Sequence, residues 1–216
     1  MKMSPLSREE LTTLESYENL ALTRSKVINS TPFNRDFWRP EFEKFRKLLP
    51  AGRVLDIGCG NGREALLFMD AGYEYTGIDL SQGMLTEARQ LAPQAKFLNM
   101  NMYNLAFPAD RFDGIWNCCT LFHAPKSRVH SALREVRRIS RKGAIAFFVV
   151  KAGNGERMVE DFRGGNERLF SFYNEMEFAD LLEAHGFDVL ESSLDLREYN
   201  PPQSSNVYLI YFTRVV

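Results

Sequence analysis

The sequence predicts an α/β fold around a mostly parallel sheet, and three observations carry that expectation. Short apolar runs alternate with amphipathic segments from residue 53 to residue 150, the order that strand–helix–strand crossovers of one hand require. The run Ala144 to Val150 is apolar throughout, as a strand covered on both faces would be. Another such run, Val54-Leu55-Asp56-Ile57, passes directly into Gly58-Cys59-Gly60-Asn61-Gly62, where a strand can turn sharply into a helix.

The elements follow in order. Ser7-Arg8-Glu9-Glu10 is a capping-box pattern that opens a helix to about Arg24, with Leu11, Leu14, Leu20 and Leu22 along it. Pro32 and Pro40 interrupt, and a short helix from Glu41 to Leu49 places Phe42, Phe45, Leu48 and Leu49 on one side. Beyond the first strand come a helix from Glu64 to Ala71 closed by Gly72, a strand from Tyr73 to Ile78, and a helix from Ser81, its N-cap, to Gln90. Strands are expected at Lys96–Leu98 and Phe112–Asn117, then a helix from Lys126 to Arg141 with Val129, Leu133, Val136 and Ile139 inward. The Gly-rich, charged stretch from Lys151 to Arg168 reads as a mobile loop, and Lys151, Arg157 and Arg163 as solvated charges within it. Asn174 and Glu177 open a helix that Gly186 ends. Two last strands, Phe187–Leu196 and Val207–Arg214, flank a loop from Tyr199 to Asn206 and are expected to add an antiparallel edge.

Bulk properties narrow the function. The 216 residues suffice for one core with a small appendage; residues 1–49 are read as a helical cap or lid and 50–216 as the main domain. A formal net charge of −1 gives no general attraction to nucleic acid. Cys59, Cys118 and Cys119 form neither a disulfide framework nor a zinc pattern, and no metal is expected. Residues Met1 to Glu10 lack an apolar leader and no run of about 18 apolar residues occurs, so a cytoplasmic monomer or homodimer is expected.

The chemistry concentrates after the first strand. Its spacing is G-x-G-x-G rather than the G-x-G-x-x-G of dinucleotide sites. Asp56, just ahead of the turn, would repel a pyrophosphate and welcome a cation. Asp79 lies 23 residues further on, at the end of the second strand. That is where a carboxylate accepts from both hydroxyls of a ribose; Leu80 and Met84 would then flank an adenine.

VLDIGCGNGREA, YTGIDLSQGML, LAFPADRFDGIW and the turn Arg141-Lys142-Gly143 resemble the class I S-adenosylmethionine (SAM)-dependent methyltransferases from about residue 50 to 150. FSFYNEMEFADLLEAHGFDVLE resembles the late helix and strand of that family. The resemblance implies a Rossmann-like fold: a mostly parallel seven-stranded sheet, helices on both faces and an antiparallel C-terminal edge hairpin. It implies SAM as cofactor, S-adenosylhomocysteine (SAH) as product and a small-molecule acceptor. SAM carries an ammonium and a sulfonium but no phosphate, in keeping with Asp56. Asp56, Gly58 and Gly60 would line the methionine half, with Asn61 and Arg63 beside them. Asp79 would hold the ribose next to Leu80, Ser81 and Met84, and Asn101, Met102 and Tyr103 would meet the adenine. Many relatives carry an acid where Asn101 stands; its side-chain oxygen can still accept. Asn117 and Cys118 would lie near the transferred methyl. His123 would face the acceptor and serve as base where one is needed. Tyr17 and Arg24 would close over the cofactor, and Trp38 would line the acceptor pocket.

Other readings stand beside these. Cys118 and Cys119 also suit buried small residues. Arg134, Arg137, Arg138, Arg141 and Lys142 suit the outer face and last turn of a helix. Rival functions are a wobble-uridine tRNA methyltransferase, which Gly58–Arg63 also resembles, a nicotinamide-dependent oxidoreductase, and a SAM-binding protein without catalysis.

Overall fold

The computed structural model describes residues 5–28, 36–160, 167–196 and 207–216. The strands β1 (Arg53–Ile57), β2 (Glu74–Asp79), β3 (Lys96–Asn99), β4 (Phe112–Cys118) and β5 (Ser140–Ala152) lie in the order β3-β2-β1-β4-β5, all parallel. Two C-terminal strands extend this sheet, which counts nine strands among the described residues. Of these, β9 (Tyr208–Val215) runs antiparallel along β5, and β8 (Phe187–Asp195) antiparallel along β9. The chain leaves β1 toward β2 on one side and returns to β4 on the other. The carboxyl ends of β1 and β4 therefore flank a switch point, where open α/β sheets leave a crevice.

The helices are α1 (Arg8–Ile28), α2 (Arg39–Leu48), α3 (Ala65–Asp70), α4 (Gln82–Leu91), α5 (Lys126–Ile139) and α6 (Glu175–Glu183). Neighbouring residues of β5 show that both faces are covered, because successive strand side chains point opposite ways. Phe147 stacks on Trp116, whose other neighbours are Phe45 of α2 and Phe68 of α3, whereas Phe148 packs on Phe178 of α6 and on Phe187. Both predicted capping boxes form. Ser7 and Glu10 bond reciprocally at the start of α1, and Asn174 and Glu177 do so at α6.

The expected loop after β5 needs correction. Here β5 continues through Lys151 and Ala152, and β6 (Glu156–Glu160) pairs antiparallel with β7 (Glu167–Tyr173), whose end joins β5 in parallel. No residue of β6 is buried, so its sequence carries the composition of a loop, while β7 buries Leu169, Phe170, Ser171 and Tyr173. Arg157 stacks on Phe172, its Cζ 3.9 Å from the ring centre, and Lys151 is buried. Arg163 and the expected loop from Tyr199 to Asn206 lie outside the described residues, Leu196 closing the segment before it.

Smaller differences have local causes. Helix α1 runs on to Ile28, and α5 stops at Ile139, where Ser140 already pairs with Phe112. The basic turn 141–143 is a bulge within β5, since the register moves from Phe112↔Ser140 to Gly114↔Ile145. Gly143 takes the left-handed φ of +82° that this requires. Among the described residues, no helix is long and apolar enough to cross a membrane.

Candidate functional site

The loop after β1 is shaped by its glycines. Gly58, Gly60 and Gly62 have φ of +74°, +53° and +75°, which side-chain-bearing residues rarely adopt. The amides of Gly58 and Cys59 both donate to the Ile78 carbonyl, at 2.8 and 2.9 Å, which ties the loop to β2. A Cβ at Gly58 would stand 2.0 Å from the Thr120 hydroxyl, whereas one at Gly60 would meet nothing within 4 Å. The loop is thus packed against β4's continuation at its first glycine and open at its second.

Three carboxylates converge at this end. Asp79 accepts from the Gly60 amide through Oδ2 and from the Ser81 amide through Oδ1, both at 2.9 Å. Each oxygen keeps a lone pair for a further donor. Asp56 is buried and accepts from the Tyr75 hydroxyl at 2.7 Å. Glu64 stands close by and pairs with Arg63 at 2.6 Å. Burial, then the Glu64 carboxylate, pushes the Asp56 carboxyl well above the usual range, and burial raises Asp79 as well. A positively charged ligand would relieve both. This set of acceptors therefore suits a molecule with a vicinal diol and a cationic group. Leu80, Met84, Met100, Met102 and Tyr103 line the same cavity beside Asp79 with apolar surface suited to a flat base.

The cavity, about 250 Å³, runs from these acids to His123. His123 sits on a 3-10 turn (Leu121–His123) just after β4. Its Nδ1 lies 2.6 Å from the Leu169 carbonyl, which can only accept, so Nδ1 carries the proton. Nε2 then accepts from the Tyr17 hydroxyl at 2.8 Å, and that oxygen in turn accepts from Arg168 at 3.2 Å. Burial, then the charges of Arg168, Arg24 and Lys151, hold the imidazole well below its ordinary pKa, so it is neutral.

Helix α1 forms the roof. Glu18 accepts from the amides of Gln82 and Gly83 at 2.6 and 2.7 Å, capping α4 from outside. Thr13 accepts from the Leu169 amide at 2.8 Å, and Glu10 pairs with Arg128. The helix is pinned to both flanks of the cavity by polar contacts that span most of the chain.

Most residues singled out in the sequence line this cavity: Asp56, Gly58, Gly60, Asn61, Arg63, Asp79, Leu80, Ser81, Met84, Met102, Tyr103, Cys118, His123, Tyr17 and Arg24. Three do not. Asn101 turns into its own loop, where its side-chain oxygen accepts from the Tyr103 amide at 3.0 Å. Asn117 is buried and accepts from the Leu121 amide at 3.3 Å, which positions the turn carrying His123. Trp38 packs in the core against Phe37, Phe147 and Tyr208. Burial pushes the Cys118 thiol up, which disfavours a nucleophilic role. Sequence reasoning missed Glu64, Met100, Lys151, Arg168, Phe170 and Tyr208, all of which line the cavity. One signal could have found Lys151: it directly follows the most apolar run, at the carboxyl edge where such sites lie.

Residues 55–148 match the family described as Methyltransferase domain. YqeM of Bacillus subtilis (strain 168) is 29% identical over 139 residues, 62% of this chain and 55% of that protein. The 2-methyl-6-phytyl-1,4-hydroquinone methyltransferase of Synechocystis sp. (strain ATCC 27184 / PCC 6803 / Kazusa) is 34% identical over 102 residues, 45% of this chain and 31% of that one. The chain thus spans about half or less of the length of these curated relatives. The 1,6-didemethyltoxoflavin-N1-methyltransferase of Burkholderia thailandensis, solved with SAH bound, shares the fold. Its TM-score is 0.67 at 24% identity, over 100% of this chain and 93% of that one. Strand order, acid-lined turn and family match define a class I methyltransferase domain. Residues 55–148 carry a class I SAM-dependent methyltransferase domain, whose methyl donor is SAM.

Proposed function

We propose that this chain transfers a methyl group from SAM to a small-molecule acceptor bound beneath α1. The observation that carries the reading is the roofed cavity that joins the acids after β1 and β2 to His123. SAM supplies a methyl carbon already activated by its sulfonium. The protein's task is to align that carbon with the acceptor and keep water out. In this reading Asp79 holds the ribose hydroxyls, Asp56 and Glu64 face the cationic methionine part, and the methionines flank the base. Helix α1 acts as a lid that Glu18 latches to α4.

His123 has one lone pair on its ring free of a proton, at Nε2, and the Tyr17 hydroxyl occupies it. A proton taken from an acceptor therefore passes to the Tyr17 oxygen as Tyr17's own proton moves to Nε2. An acceptor that is already a free nucleophile needs only the positioning.

A small acceptor suits a cavity of about 250 Å³ closed by a helix. The two methyltransferases above are named for small organic compounds. The basic side chains on the outer face of α5 already have intramolecular work, which weakens the tRNA alternative. Arg138 binds Glu135 and the carbonyls of Leu105 and Phe107, and Arg137 binds the Val216 carbonyl. The test is incubation with methyl-labelled SAM and either a panel of small acceptors or total tRNA. Label on a small compound, lost with His123→Ala or Tyr17→Phe, supports the reading. Label on tRNA alone contradicts it.

A further inference from the structure

Two adjacent thiols line the middle of the cavity. Cys118 ends β4 and Cys119 follows it; both line the cavity and neither is in a disulfide. Successive side chains of an extended chain point to opposite faces. Cys119 breaks that alternation with a left-handed φ of +60°, one of two such values at a non-glycine residue among the described residues. The turn brings the two sulfurs to one side, 3.9 Å apart. That backbone is costly for a residue with a Cβ and costs glycine little, so the cysteine keeps a thiol where the turn alone would favour none. Cys118 stands near Glu64 and Arg63 of the donor end, and Cys119 near Lys151 of the other end.

The sulfur–sulfur distance decides what the pair can hold. A disulfide needs its sulfurs about 2.05 Å apart and its Cα atoms usually about 4.4–6.8 Å apart. Neighbouring Cα atoms across a trans peptide stand only about 3.8 Å apart. Closing the bond would draw the sulfurs together by about 1.9 Å within one strained ring. A tetrahedral ion with metal–sulfur bonds of about 2.3 Å holds two sulfurs about 3.8 Å apart, a spacing the pair already offers. Thiolate ligands select soft ions over hard ones. We propose that Cys118 and Cys119 bind one thiophilic divalent ion, of the zinc and cadmium type, through both sulfurs.

Binding breaks two S–H bonds and forms two S–metal bonds, and both protons leave to solvent. The two thiolates then balance the charge of the ion. Burial raises the Cys118 thiol, so the ion has to displace a firmly held proton, as a coordinated metal does. Among the described residues, no group of three or more His, Cys, Asp or Glu is placed to hold a metal. The ion therefore keeps coordination positions open to the cavity, as ions in catalytic sites do. On the methyltransferase reading above, an ion seated there stands in the passage between cofactor and acceptor and blocks transfer.

The experiment titrates the full chain, reduced with a phosphine and freed of metal, with Cd²⁺. Binding is read from the sulfur-to-cadmium absorption in the ultraviolet and from calorimetry. The wild type is expected to take up one ion per chain with the absorption of two thiolates. Cys119→Gly suits the left-handed backbone and removes one sulfur. It should weaken Cd²⁺ binding by more than the roughly tenfold that loss of an outer-shell partner costs, with Cys119→Ser behaving alike. Cys59→Ser should keep both the band and the affinity. Cooperative thermal unfolding shows that each variant is folded. No band in the wild type, a band that survives in Cys119→Gly, or one lost in Cys59→Ser overturns the proposal. SAH is titrated in parallel: its failure to bind overturns the methyltransferase reading and leaves the ion site in place.

Discussion

The two ends of the cavity are built differently. The donor end comes from one stretch, residues 56–103, in which each strand delivers a residue to its carboxyl edge and the next loop takes over. The acceptor end draws on α1, the turn after β4, the tail of β5, and β7 and β9, so residues as distant as Tyr17 and Arg168 share a hydrogen bond. The donor end is acidic and held by backbone amides; the acceptor end is basic and held by side chains. A motif can encode the first because spacing along a strand–turn–helix unit fixes the geometry. Encoding the second takes the whole topology, since its members meet only when the sheet is complete.

If the donor end is a preset cradle, its largest sensitivity is at Asp79. Asp79→Ala removes the carboxylate proposed to accept from the ribose hydroxyls and strands the Gly60 and Ser81 amides, so SAH affinity should fall by about a hundredfold or more in calorimetry. An affinity within a few-fold of wild type would mean that the ligand does not rest on that carboxylate.

Gly58→Ala strikes the same cradle through sterics. The new Cβ clashes with Thr120 at a φ of +74°, and a loss of about 2–3 kcal/mol is expected in denaturant unfolding. Adding Thr120→Ala should recover only part, because the backbone strain stays.

At the acceptor end the sharper probe is pH. His123 is kept neutral by burial and by Arg168, Arg24 and Lys151, with the Tyr17 hydroxyl on its Nε2. Its folded pKa is depressed, so only the unfolded chain takes up this proton as pH falls below the unfolded value of about 6.5. The protein should lose stability between pH 6.5 and 5, by up to about 1.4 kcal/mol per unit from this group. His123→Gln should flatten the slope relative to wild type. Parallel slopes would show a charged or solvated imidazole.

The smallest effect concerns the join between the ends. Glu18→Ala removes the latch from α1 to α4, worth about 1 kcal/mol as a capping interaction, and should speed SAH release by about fivefold in stopped-flow. An unchanged release rate would mean that α1 does not gate the cavity.

The legibility of the sequence follows the same division. The parallel sheet, its strand sequence through β5, the antiparallel C-terminal pair and both capping boxes could be read from periodicity and cap residues. At the site, Asp56, Gly58, Gly60, Asp79, Leu80, Met84 and His123 could be read from a strand-turn motif and a family pattern, and all line the cavity. Asn101 and Asn117 were placed at the cofactor by the family resemblance. Asn101 bonds the backbone of its own loop and Asn117 that of the turn after β4, which chain position does not reveal. The pair β6–β7 stayed hidden because an exposed strand with glutamates and arginines has no apolar alternation to read. Lys151 looked like a solvated charge for that reason, and Arg168 stood only as the last residue of the expected loop. The burial of Lys151 comes with Tyr208 of β9 against its ammonium, a contact between segments with no shared local signal.

The most direct test of the account is a calorimetric titration of the wild-type chain with SAH, with NADH titrated in parallel. The carboxylates at the first two strand ends predict micromolar or tighter binding of SAH, on the order of −8 kcal/mol, and none of NADH, whose pyrophosphate would approach Asp56 and Glu64. Binding of NADH without SAH would contradict the account and make the turn after β1 a dinucleotide site.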